Sequence, residues 1–466
     1  MLTITPLVRP PLDPDFLPAV LWNRAFRALV ATAPRARPFT LLLERADGGV
    51  SRHDSFLLPA DHPAAALNRR YAERLLKFLL WQKGAARVLV AGADEIAGHL
   101  AQVYHPAGAR RFDFEIMGAK IQGRPFAIEA IADADRPAGD QAGQPIGRHL
   151  DGCRIGFDLG GSDRKAAALI EGRVVFTEEI AWDPYFQPDP AYHLEGIHDS
   201  LLRAAAHLPR VDAIGGSAAG VYVNNEPRVA SLFRGVPPAV FDRQVRPLFS
   251  ILRERWGGVP FVVVNDGEVT ALAGAMALDA NAVLGVSMGT SQAGGYVTPE
   301  GGLTSWLNEL AFAPIDYRLD APRDEWSGDV GCGVQYFSQQ GVARLAQRAG
   351  FVFAETEPPA ARLVAVQAAM AAGDPRAASV YDSIGVCFGY AIAHYADFYP
   401  LRHLLTLGRV VSGPGGERLL AQARGVLDAE FPDLAGQIAF SVPSERDRRH
   451  GQAIAAASLP GLRGTG

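Results

Sequence analysis

The sequence contains few lysines, and this shortage bears on nucleic acid binding. Lysine occurs only at Lys77, Lys83, Lys120 and Lys165. Lysine and arginine together number 45 against 50 acidic residues, the formal net charge is −5, and no basic run occurs. A surface that neutralises many phosphates needs clustered cations. We therefore expect no nucleic acid partner.

Cysteines and long apolar runs are also scarce. The only cysteines, Cys153, Cys332 and Cys387, are far apart and show no CxxC spacing. An odd number without that spacing indicates neither a redox pair nor a metal site, and it fits a reducing, cytoplasmic compartment. No stretch approaches 18 uncharged apolar residues, and prolines interrupt residues 1–20 where a signal peptide needs an apolar core. Export and a membrane partner are therefore not expected.

The composition that is present indicates a globular protein of two or three domains. The chain has 466 residues, of which 48% are hydrophobic and 20% charged. Residues 132–148 are polar, rich in glycine and proline and without periodicity, which predicts a linker. The preceding residues predict an α/β unit with a strand at Phe39–Glu44, a helix at Ala65–Gln82, a strand at Arg87–Ala91 and a strand pair near Phe112–Met117 and Pro125–Ile131.

Two glycine-rich segments have the pattern of a strand, a turn and a second strand. They are Ile155–Ile170 and Val283–Val297, in which apolar runs flank glycines that permit a positive φ. Repetition at this spacing predicts two lobes of related topology that face each other across a cleft. The alternative is coincidence, because glycine is common in turns.

The first of these turns has residue types that suit a polyphosphate. Asp158 precedes the turn, which contains Gly160, Gly161 and Ser162 and is followed by Arg164 and Lys165. Backbone N–H groups, a hydroxyl and cations can bind phosphate oxygens, and a nearby carboxylate can hold Mg²⁺ through water.

The second turn offers N–H groups and hydroxyls but no cation. Its residues are Gly289, Thr290 and Ser291. Opposed to the first turn, it could hold the phosphates of the same nucleotide. The sequence has no GxxxxGK followed by serine or threonine, so the P-loop class is excluded.

Between the hairpins, a buried strand runs into an alanine-rich helix at Asn265 and Asp266. This junction lies at the carboxyl end of the strand, where open α/β sheets bind ligands. Asp266 could accept the proton of an attacking hydroxyl while Asn265 orients a neighbouring hydroxyl. The alternative is that both residues only cap the helix.

Two later segments are weaker candidates. Glu309, close to Trp306, could bind sugar hydroxyls or could be an ordinary solvated carboxylate beside a core tryptophan. The loop with Gly413, Gly415 and Gly416 joins a predicted strand to a predicted helix. Such a loop can lie close to a flat ring, although glycine also occurs there for structural reasons.

The ordered motifs DLGGS, ND, GTS with a following NE, and GRVVSGPGG resemble the ROK family of sugar kinases, within the hexokinase–actin–Hsp70 superfamily. The resemblance covers about residues 151–466. It implies an α/β fold with two ribonuclease-H-like lobes flanking a nucleotide cleft, preceded by an N-terminal α/β accessory domain. It also implies ATP and Mg²⁺ as cofactors, a small-molecule sugar as substrate and phosphoryl transfer to an alcohol group. A homodimer is a further possibility, since the sequence leaves the oligomeric state open.

The resemblance implies specific roles and domain limits. Asp266 would be the catalytic base, and Asn265 and Glu309 would bind the substrate. ATP would be bound by Asp158, Gly160, Gly161, Ser162, Gly289, Thr290, Ser291, Gly413, Gly415 and Gly416, with Mg²⁺ held through the nucleotide near Asp158 and no metal bound by the protein alone. The predicted domains are an accessory domain at 1–132, a linker at 133–150 and kinase lobes at 151–282 and 283–466.

The sequence also departs from the family pattern. Phe312 stands where these kinases usually have a histidine, and only Cys332 remains of their zinc-binding cysteines, so zinc is not expected. Residues 229–233 stand where a sugar-contacting asparagine is usual, so the substrate stays open. A non-catalytic sugar- or nucleotide-sensing protein of the same fold is therefore the alternative. Residues 1–132 lack a helix-turn-helix pattern, so we do not expect them to bind DNA.

Overall fold

A computed structural model describes residues 2–132, 146–441 and 445–462, with the backbone alone at 445–449. The predicted linker therefore lies mostly outside the described residues. The chain forms two compact units. Unit 1 contains Met1–Gln141, Val286–Gly294 and Trp306–Phe440, and unit 2 contains Ala142–Gly285, Gly295–Ser305 and Ser441–Gly466. Within the described ranges, no helix combines the length and apolar character that crossing a membrane requires.

The N-terminal part of unit 1 is an α/β structure. Numbered in chain order, its elements are α1 (Ala19–Thr32), β1 (Arg37–Glu44), β2 (Val50–Leu57), α2 (Leu67–Lys83), β3 (Arg87–Ala91), α3 (Asp94–Val103), α4 (Arg111–Glu115), the π-helical Ile116–Gln122 and β4 (Ala127–Ile131). Its four-stranded sheet has the order β2-β1-β3-β4, in which β1 is antiparallel to β2 and β3, and β3 is parallel to β4.

Most of the predicted elements in this region are confirmed, but the predicted strand at Phe112–Met117 is wrong. These residues form α4 and the start of the π-helical segment. The alternation of apolar residues resembles a strand, but buried Asp113 accepts hydrogen bonds from Lys77 Nζ at 3.0 Å and Trp81 Nε1 at 2.6 Å. Both partners lie on α2, so a tertiary ion pair decides the local conformation.

The first elements of unit 2 are β5 (Cys153–Leu159), β6 (Asp163–Ile170), β7 (Arg173–Ala181), α5 (Pro190–Ala205), β8 (Ala213–Ala218), β9 (Val221–Val223), β10 (Glu226–Val229), α6 (Pro238–Val240), α7 (Leu248–Arg255), β11 (Phe261–Asn265) and α8 (Asp266–Ala277). Five of these strands form a sheet with the order β11-β8-β5-β6-β7. Strands β11, β8 and β5 are parallel, and β6 and β7 are antiparallel to their neighbours.

The remaining elements begin with the second hairpin. They are β12 (Val283–Met288), β13 (Gln292–Val297), α9 (Gln339–Arg348), α10 (Pro359–Ala371), α11 (Pro375–Ala396), β14 (His403–Leu407), α12 (Gly413–Glu430), α13 (Pro432–Ala435), β15 (Ala439–Ser441) and α14 (Glu445–Ala457). The four strands form a sheet with the order β13-β12-β14-β15. Both predicted glycine hairpins are confirmed, as β5–β6 and as β12–β13.

Two glycines let α14 pack directly on the sheet of unit 2. A Cβ on Gly156 of β5 would collide with the carbonyl oxygen of Ala453, and one on Gly215 of β8 with that of Ala456. Glycine is needed here because the helix backbone lies against the strands with no room for a side chain. This packing holds β5 and β8, which carry the candidate site.

Residues 1–132 were predicted to be a separate accessory domain, and the structure instead places them in unit 1 with Trp306–Phe440. The ammonium group of Lys77 is fully buried and lies 3.0 Å from Asp113 and 3.1 Å from Asp329. The main chain also pairs, since the Glu309 N–H donates to the Trp81 carbonyl at 2.9 Å. Sequence patterning missed this packing because the partners are more than 200 residues apart.

Candidate functional site

The register of the parallel strands in unit 2 brings Asp158, Asn265 and Asp266, which the sequence singled out, to the same edge of the sheet, where the strands end. Asp158 on β5 is paired with Ser217 on β8, and Ser217 with Val264 on β11. All three strands therefore end at the same level, and Asn265 and the start of α8 follow at once. The carboxyl ends of parallel strands are where α/β folds bind ligands.

Asp158 is buried at this edge with few polar partners. Ser217 Oγ donates a hydrogen bond to its Oδ1 at 2.6 Å, and Lys165 Nζ lies 4.0 Å from its Oδ2. Desolvation raises the pKa of Asp158 to about 6, against the opposing effects of Ser217 and Lys165. Repulsion from Asp266 raises it further, so the two carboxylates lie within electrostatic range of each other.

Asp266 is the first residue of α8, and its carboxylate lies close to the backbone. The Gly267 N–H donates to Asp266 Oδ1 at 2.9 Å. The residue is partly exposed, yet its carboxyl group lies among protein atoms, and this desolvation raises its pKa although the Gly267 hydrogen bond opposes the shift. A carboxylate of raised basicity that keeps some access to solvent can accept a proton.

Asn265 caps the N-terminus of α8, which is the structural role that the sequence analysis gave as the alternative to substrate binding. Its Oδ1 accepts a hydrogen bond from the Gly267 N–H at 2.7 Å, and its Nδ2 donates to the Gly220 carbonyl at 2.6 Å. Both ends of the amide are therefore engaged by the backbone. The cap fixes the direction in which α8 leaves the sheet, and with it the position of Asp266.

The turn between β5 and β6 presents backbone donors. The Gly160 N–H donates to the Asp163 carbonyl at 2.9 Å, and the Asp163 carboxylate accepts from Ser162 Oγ at 2.9 Å and Lys165 Nζ at 2.6 Å. Among the described residues, nothing accepts hydrogen bonds from the N–H groups of Gly161 and Ser162. The predicted turn therefore keeps two N–H groups for an anion.

The guanidinium of Arg164 is not directed to the β5–β6 turn, where the sequence suggested that it could bind phosphate. Its guanidinium donates to Asp199 Oδ2 at 2.8 Å and to Ser200 on α5. Because strand side chains alternate between faces, Arg164 points to the helix side of β6 while Lys165 stays beside Asp158. Lys165 is thus the cation near the turn.

Tyr185 is a site residue that the motifs did not identify. A Cβ on Gly161 would collide with its hydroxyl, so the phenol lies directly against the turn. The Arg234 guanidinium lies 4.0 Å from the centre of the Tyr185 ring. Tyr185 follows β7 in an irregular segment, where no spacing rule indicates what it contacts.

In unit 1, the β12–β13 turn has exposed hydroxyl groups. The Gly289 N–H donates to the Ser291 carbonyl at 2.9 Å, and the Gly289 carbonyl accepts from the Gln339 N–H at 2.9 Å. Thr290 and Ser291 are exposed, and no residue in the described ranges pairs with their hydroxyls. The turn has the donors that the sequence predicted.

The predicted adenosine loop begins α12, and packing explains two of its glycines. A Cβ on Gly415 would collide with the ring of Tyr381, and one on Gly416 with the backbone of Val411. Gly413 has φ +67° and open space around it. Packing therefore accounts for Gly415 and Gly416, whereas nothing in the packing around Gly413 requires a glycine.

The region of Glu309 in unit 1 is held by the N-terminal helices. Glu309 is half-buried, and Lys83 Nζ lies 4.6 Å from the centre of the Trp306 ring. The centres of the Phe312 and Trp81 rings are 4.3 Å apart. Phe312, at the position usual for histidine, is thus part of an aromatic contact.

Comparison with known proteins identifies the fold. Neither family models nor curated proteins match the sequence. Among solved structures, a ROK hexokinase from Thermus thermophilus is similar with a TM-score of 0.52 and 19% identity, over 66% of this chain and 97% of that chain. The chain has the fold of the ROK sugar kinases. The predicted α/β class and the resemblance are therefore confirmed for the fold.

Two further ROK structures are similar to this chain. A ROK glucokinase from Streptomyces griseus, in complex with glucose and AMPPNP, is 22% identical with a TM-score of 0.46, over 66% of this chain and 99% of that chain. A ROK transcriptional regulator, a homologue of the E. coli MLC protein, is 20% identical with a TM-score of 0.49, over 67% of this chain and 79% of that chain.

The raised pKa of Asp158 predicts a pH-dependent loss of stability. In the folded protein this carboxyl holds its proton up to a pH of about 6, against 3.8 for an ordinary aspartate. Its contribution to stability is fully present below pH 3.8 and is lost as the pH rises through about 6. The loss is roughly 3 kcal/mol, from about 1.4 kcal/mol for each pH unit.

Asp158→Asn isolates this contribution, because the amide can still accept from Ser217 and does not titrate. Urea unfolding of both proteins between pH 3.5 and pH 7.5 should show the variant gaining stability relative to the parent as the pH rises. A constant difference in unfolding free energy over this range would show that ionisation of Asp158 does not destabilise the folded protein.

Proposed function

We propose that the protein is an ATP-dependent kinase that phosphorylates a hydroxyl of a sugar or a sugar-like molecule. One observation carries the proposal. In unit 2, the register of β5, β8 and β11 places Asp158 and Asp266 within electrostatic range of each other, and the N–H groups of Gly161 and Ser162 in the β5–β6 turn have no acceptor among the residues that the structure describes. If Asn265 and Asp266 only capped α8, neither the carboxylate of Asp158 nor the available N–H groups of the β5–β6 turn would be needed beside them.

The residues present fit ATP with Mg²⁺. Phosphate oxygens need donors, and the N–H groups of Gly161 and Ser162 and the hydroxyls of Thr290 and Ser291 have no partner among the described residues. A divalent cation favours carboxylate and water oxygens. Asp158, buried with a raised pKa, is a carboxylate whose ionised form a nearby cation would stabilise.

Asp266 is the residue that would handle the proton of the substrate. Its basicity is raised by desolvation, and the Gly267 N–H and the Asn265 cap hold it in place. It would accept the proton from the attacking hydroxyl as that oxygen bonds to the γ-phosphorus and the bond from this phosphorus to the ADP oxygen breaks, while Asn265 and Glu309 take part in binding the substrate. Bound ATP with Mg²⁺ supplies the phosphoryl group and neutralises the charge on its oxygens.

A coupled assay of ADP formation against a panel of free sugars tests the proposal. At least one sugar should raise ADP formation well above the rate with ATP alone, and the phosphorylated sugar should be detectable by mass spectrometry. If the protein binds a sugar but no member of the panel is phosphorylated, the kinase proposal fails.

That result would favour a sensor, the second candidate. The observation in its favour is Phe312, which stands at the position usual for histidine and packs on Trp81. The phenyl ring of Phe312 has neither the N–H donor nor the acceptor nitrogen of an imidazole, so it cannot replace the hydrogen bonds of a histidine. Retention of Asp266 beside Asp158 favours the kinase.

ATP binding should depend on both turns. Thr290→Val removes an exposed hydroxyl while keeping the shape of the side chain, and Gly160→Val places a branched side chain in the first turn. Each should weaken ATP binding by about 1–3 kcal/mol, the cost of one lost polar contact. Isothermal titration calorimetry of each variant measures this.

Thr3→Val is the matched control, because Thr3 is an exposed threonine outside every helix and strand. It should bind ATP like the parent. If Thr290→Val and Gly160→Val also match the parent, neither turn contacts the phosphates.

A further inference from the structure

Unit 1 contains a cavity of about 370 Å³ whose lining is strongly cationic. Among the lining residues are five arginines and two carboxylates, Glu73 and Asp316. The arginines are Arg69, Arg70, Arg74, Arg110 and Arg318. All of these residues belong to unit 1, and none is part of the proposed kinase site.

Three of these arginines are already neutralised by carboxylates. Arg74 Nη2 lies 2.8 Å from Glu73, and Arg110 forms ion pairs with both Glu73 and Asp329. Arg318 Nη2 lies 2.7 Å from Asp316. The two acidic residues of the lining are thus both engaged.

Arg69 and Arg70 carry the remaining positive charge. In the part of the chain that the structure describes, neither guanidinium has a carboxylate oxygen within 4.0 Å. Arg69 is exposed, while Arg70 is half-buried and donates to the backbone carbonyl of Tyr317. Desolvation and repulsion from Arg74 lower the pKa of Arg70, so its charge is under-compensated.

The position of Arg69 and Arg70 on α2 also destabilises the helix. They lie in the first turn of a 17-residue helix that has no acidic residue in that turn and no side-chain cap at Ala66. The helix dipole puts partial positive charge at this end, where cations destabilise and anions stabilise. Ala66 lines the same cavity, so the helix N-terminus and both arginines converge on one space.

We propose that this cavity binds a small phosphate-bearing anion through Arg69, Arg70 and the N-terminus of α2. Guanidinium groups match phosphate oxygens by paired hydrogen bonds, and the positive end of the helix dipole adds further attraction for an anion. The N–H groups of Leu67 and Asn68 already donate to the Ala64 and Ala65 carbonyls, so the arginines supply the hydrogen bonds. The bound anion would neutralise the charge that the protein leaves uncompensated. The phosphate could be inorganic or could belong to a phosphorylated sugar, which share this chemistry.

The test is calorimetric titration and thermal unfolding of the full chain with inorganic phosphate, against sodium chloride at equal ionic strength. Phosphate should bind saturably and raise the unfolding temperature, and chloride should not. The Arg69→Gln/Arg70→Gln double variant should bind phosphate at least about tenfold more weakly, since a hydrogen bond to a charged group is worth more than one decade of affinity.

The single variant Arg69→Gln has a second expected result that does not need the ligand. Without phosphate it should unfold at a temperature no lower than the parent, because an exposed cation leaves the positive end of α2. Arg70 is left in place here because its guanidinium donates to the Tyr317 carbonyl and lies over the Trp22 ring. Arg35→Gln is the matched control, since Arg35 is an exposed arginine of unit 1 paired with Asp61. It should keep the phosphate response of the parent.

Two further titrations identify the site and the source of the phosphate. Gly160→Val, in the proposed nucleotide turn, should still respond to phosphate if the cavity of unit 1 is the site. Tighter binding of glucose 6-phosphate than of inorganic phosphate supports a sugar phosphate, and equal binding supports the free ion. The inference is overturned if the double variant responds like the parent, if chloride acts as well as phosphate, or if only Gly160→Val loses the response.

Discussion

Asp266→Asn is expected to lower turnover by about 10²–10⁴-fold, the usual contribution of a general base, while the affinity for ATP stays close to that of the parent. The amide keeps the size of the carboxylate and can still accept from the Gly267 N–H, so α8 should begin as before. What is lost is the ability to take up a proton. Steady-state kinetics with the sugar found in the screen, together with ATP titration calorimetry, measure both quantities.

Asp279→Asn is the matched control for this substitution. Asp279 lies just after α8, is exposed and has φ 48°, a conformation that asparagine adopts readily. It should leave turnover unchanged. If Asp266→Asn retains most of the parent activity, Asp266 only begins the helix and the catalytic proposal is wrong.

Lys77→Met is expected to lower the free energy of unfolding by about 3–5 kcal/mol, the cost of leaving buried charges without their partner. Lys77 is fully buried between Asp113 and Asp329, and these carboxylates raise its pKa against the effect of desolvation, so it stays charged. Methionine fills a similar volume without the charge. Urea unfolding at pH 7 measures the loss.

Two comparison variants make the measurement specific. Arg35→Met removes an exposed ion-pair partner and should cost no more than about 1 kcal/mol. Lys77→Met/Asp113→Asn removes one buried carboxylate charge together with the ammonium, so it should recover part of the lost stability. A Lys77→Met protein as stable as the parent would mean that the pair does not hold residues 1–132 against the rest of unit 1.

Several features of the candidate site follow from local sequence. The two glycine hairpins and the strand-to-helix step at Asn265 were predictable because their hydrogen bonds join residues a few positions apart. Apolar runs beside glycine, and an asparagine before an alanine-rich helix, favour such structures through local hydrogen bonds. The order of these motifs was also enough to indicate the family whose fold the chain has.

Other features depended on contacts that no local pattern carries. Ser217 was not singled out, although it holds Asp158, because only the parallel register of β5 and β8 pairs them. Arg164 was noted as a cation beside the first turn, but strand alternation directs its guanidinium to Asp199 on α5. Tyr185 comes against Gly161 through an irregular segment that sequence periodicity does not describe.

The sequence by itself therefore determined the hairpins, the capped start of α8 and the residue types of the two glycine-rich turns, since short-range hydrogen bonding and backbone preference fix all of these. Only the tertiary structure decided that Phe112–Met117 is helical, that residues 1–132 share unit 1, and that Asp158 and Asp266 titrate with raised pKa. The physical reason is that burial and charge pairing depend on which distant segments exclude water from a group, and that is set by packing across the whole fold.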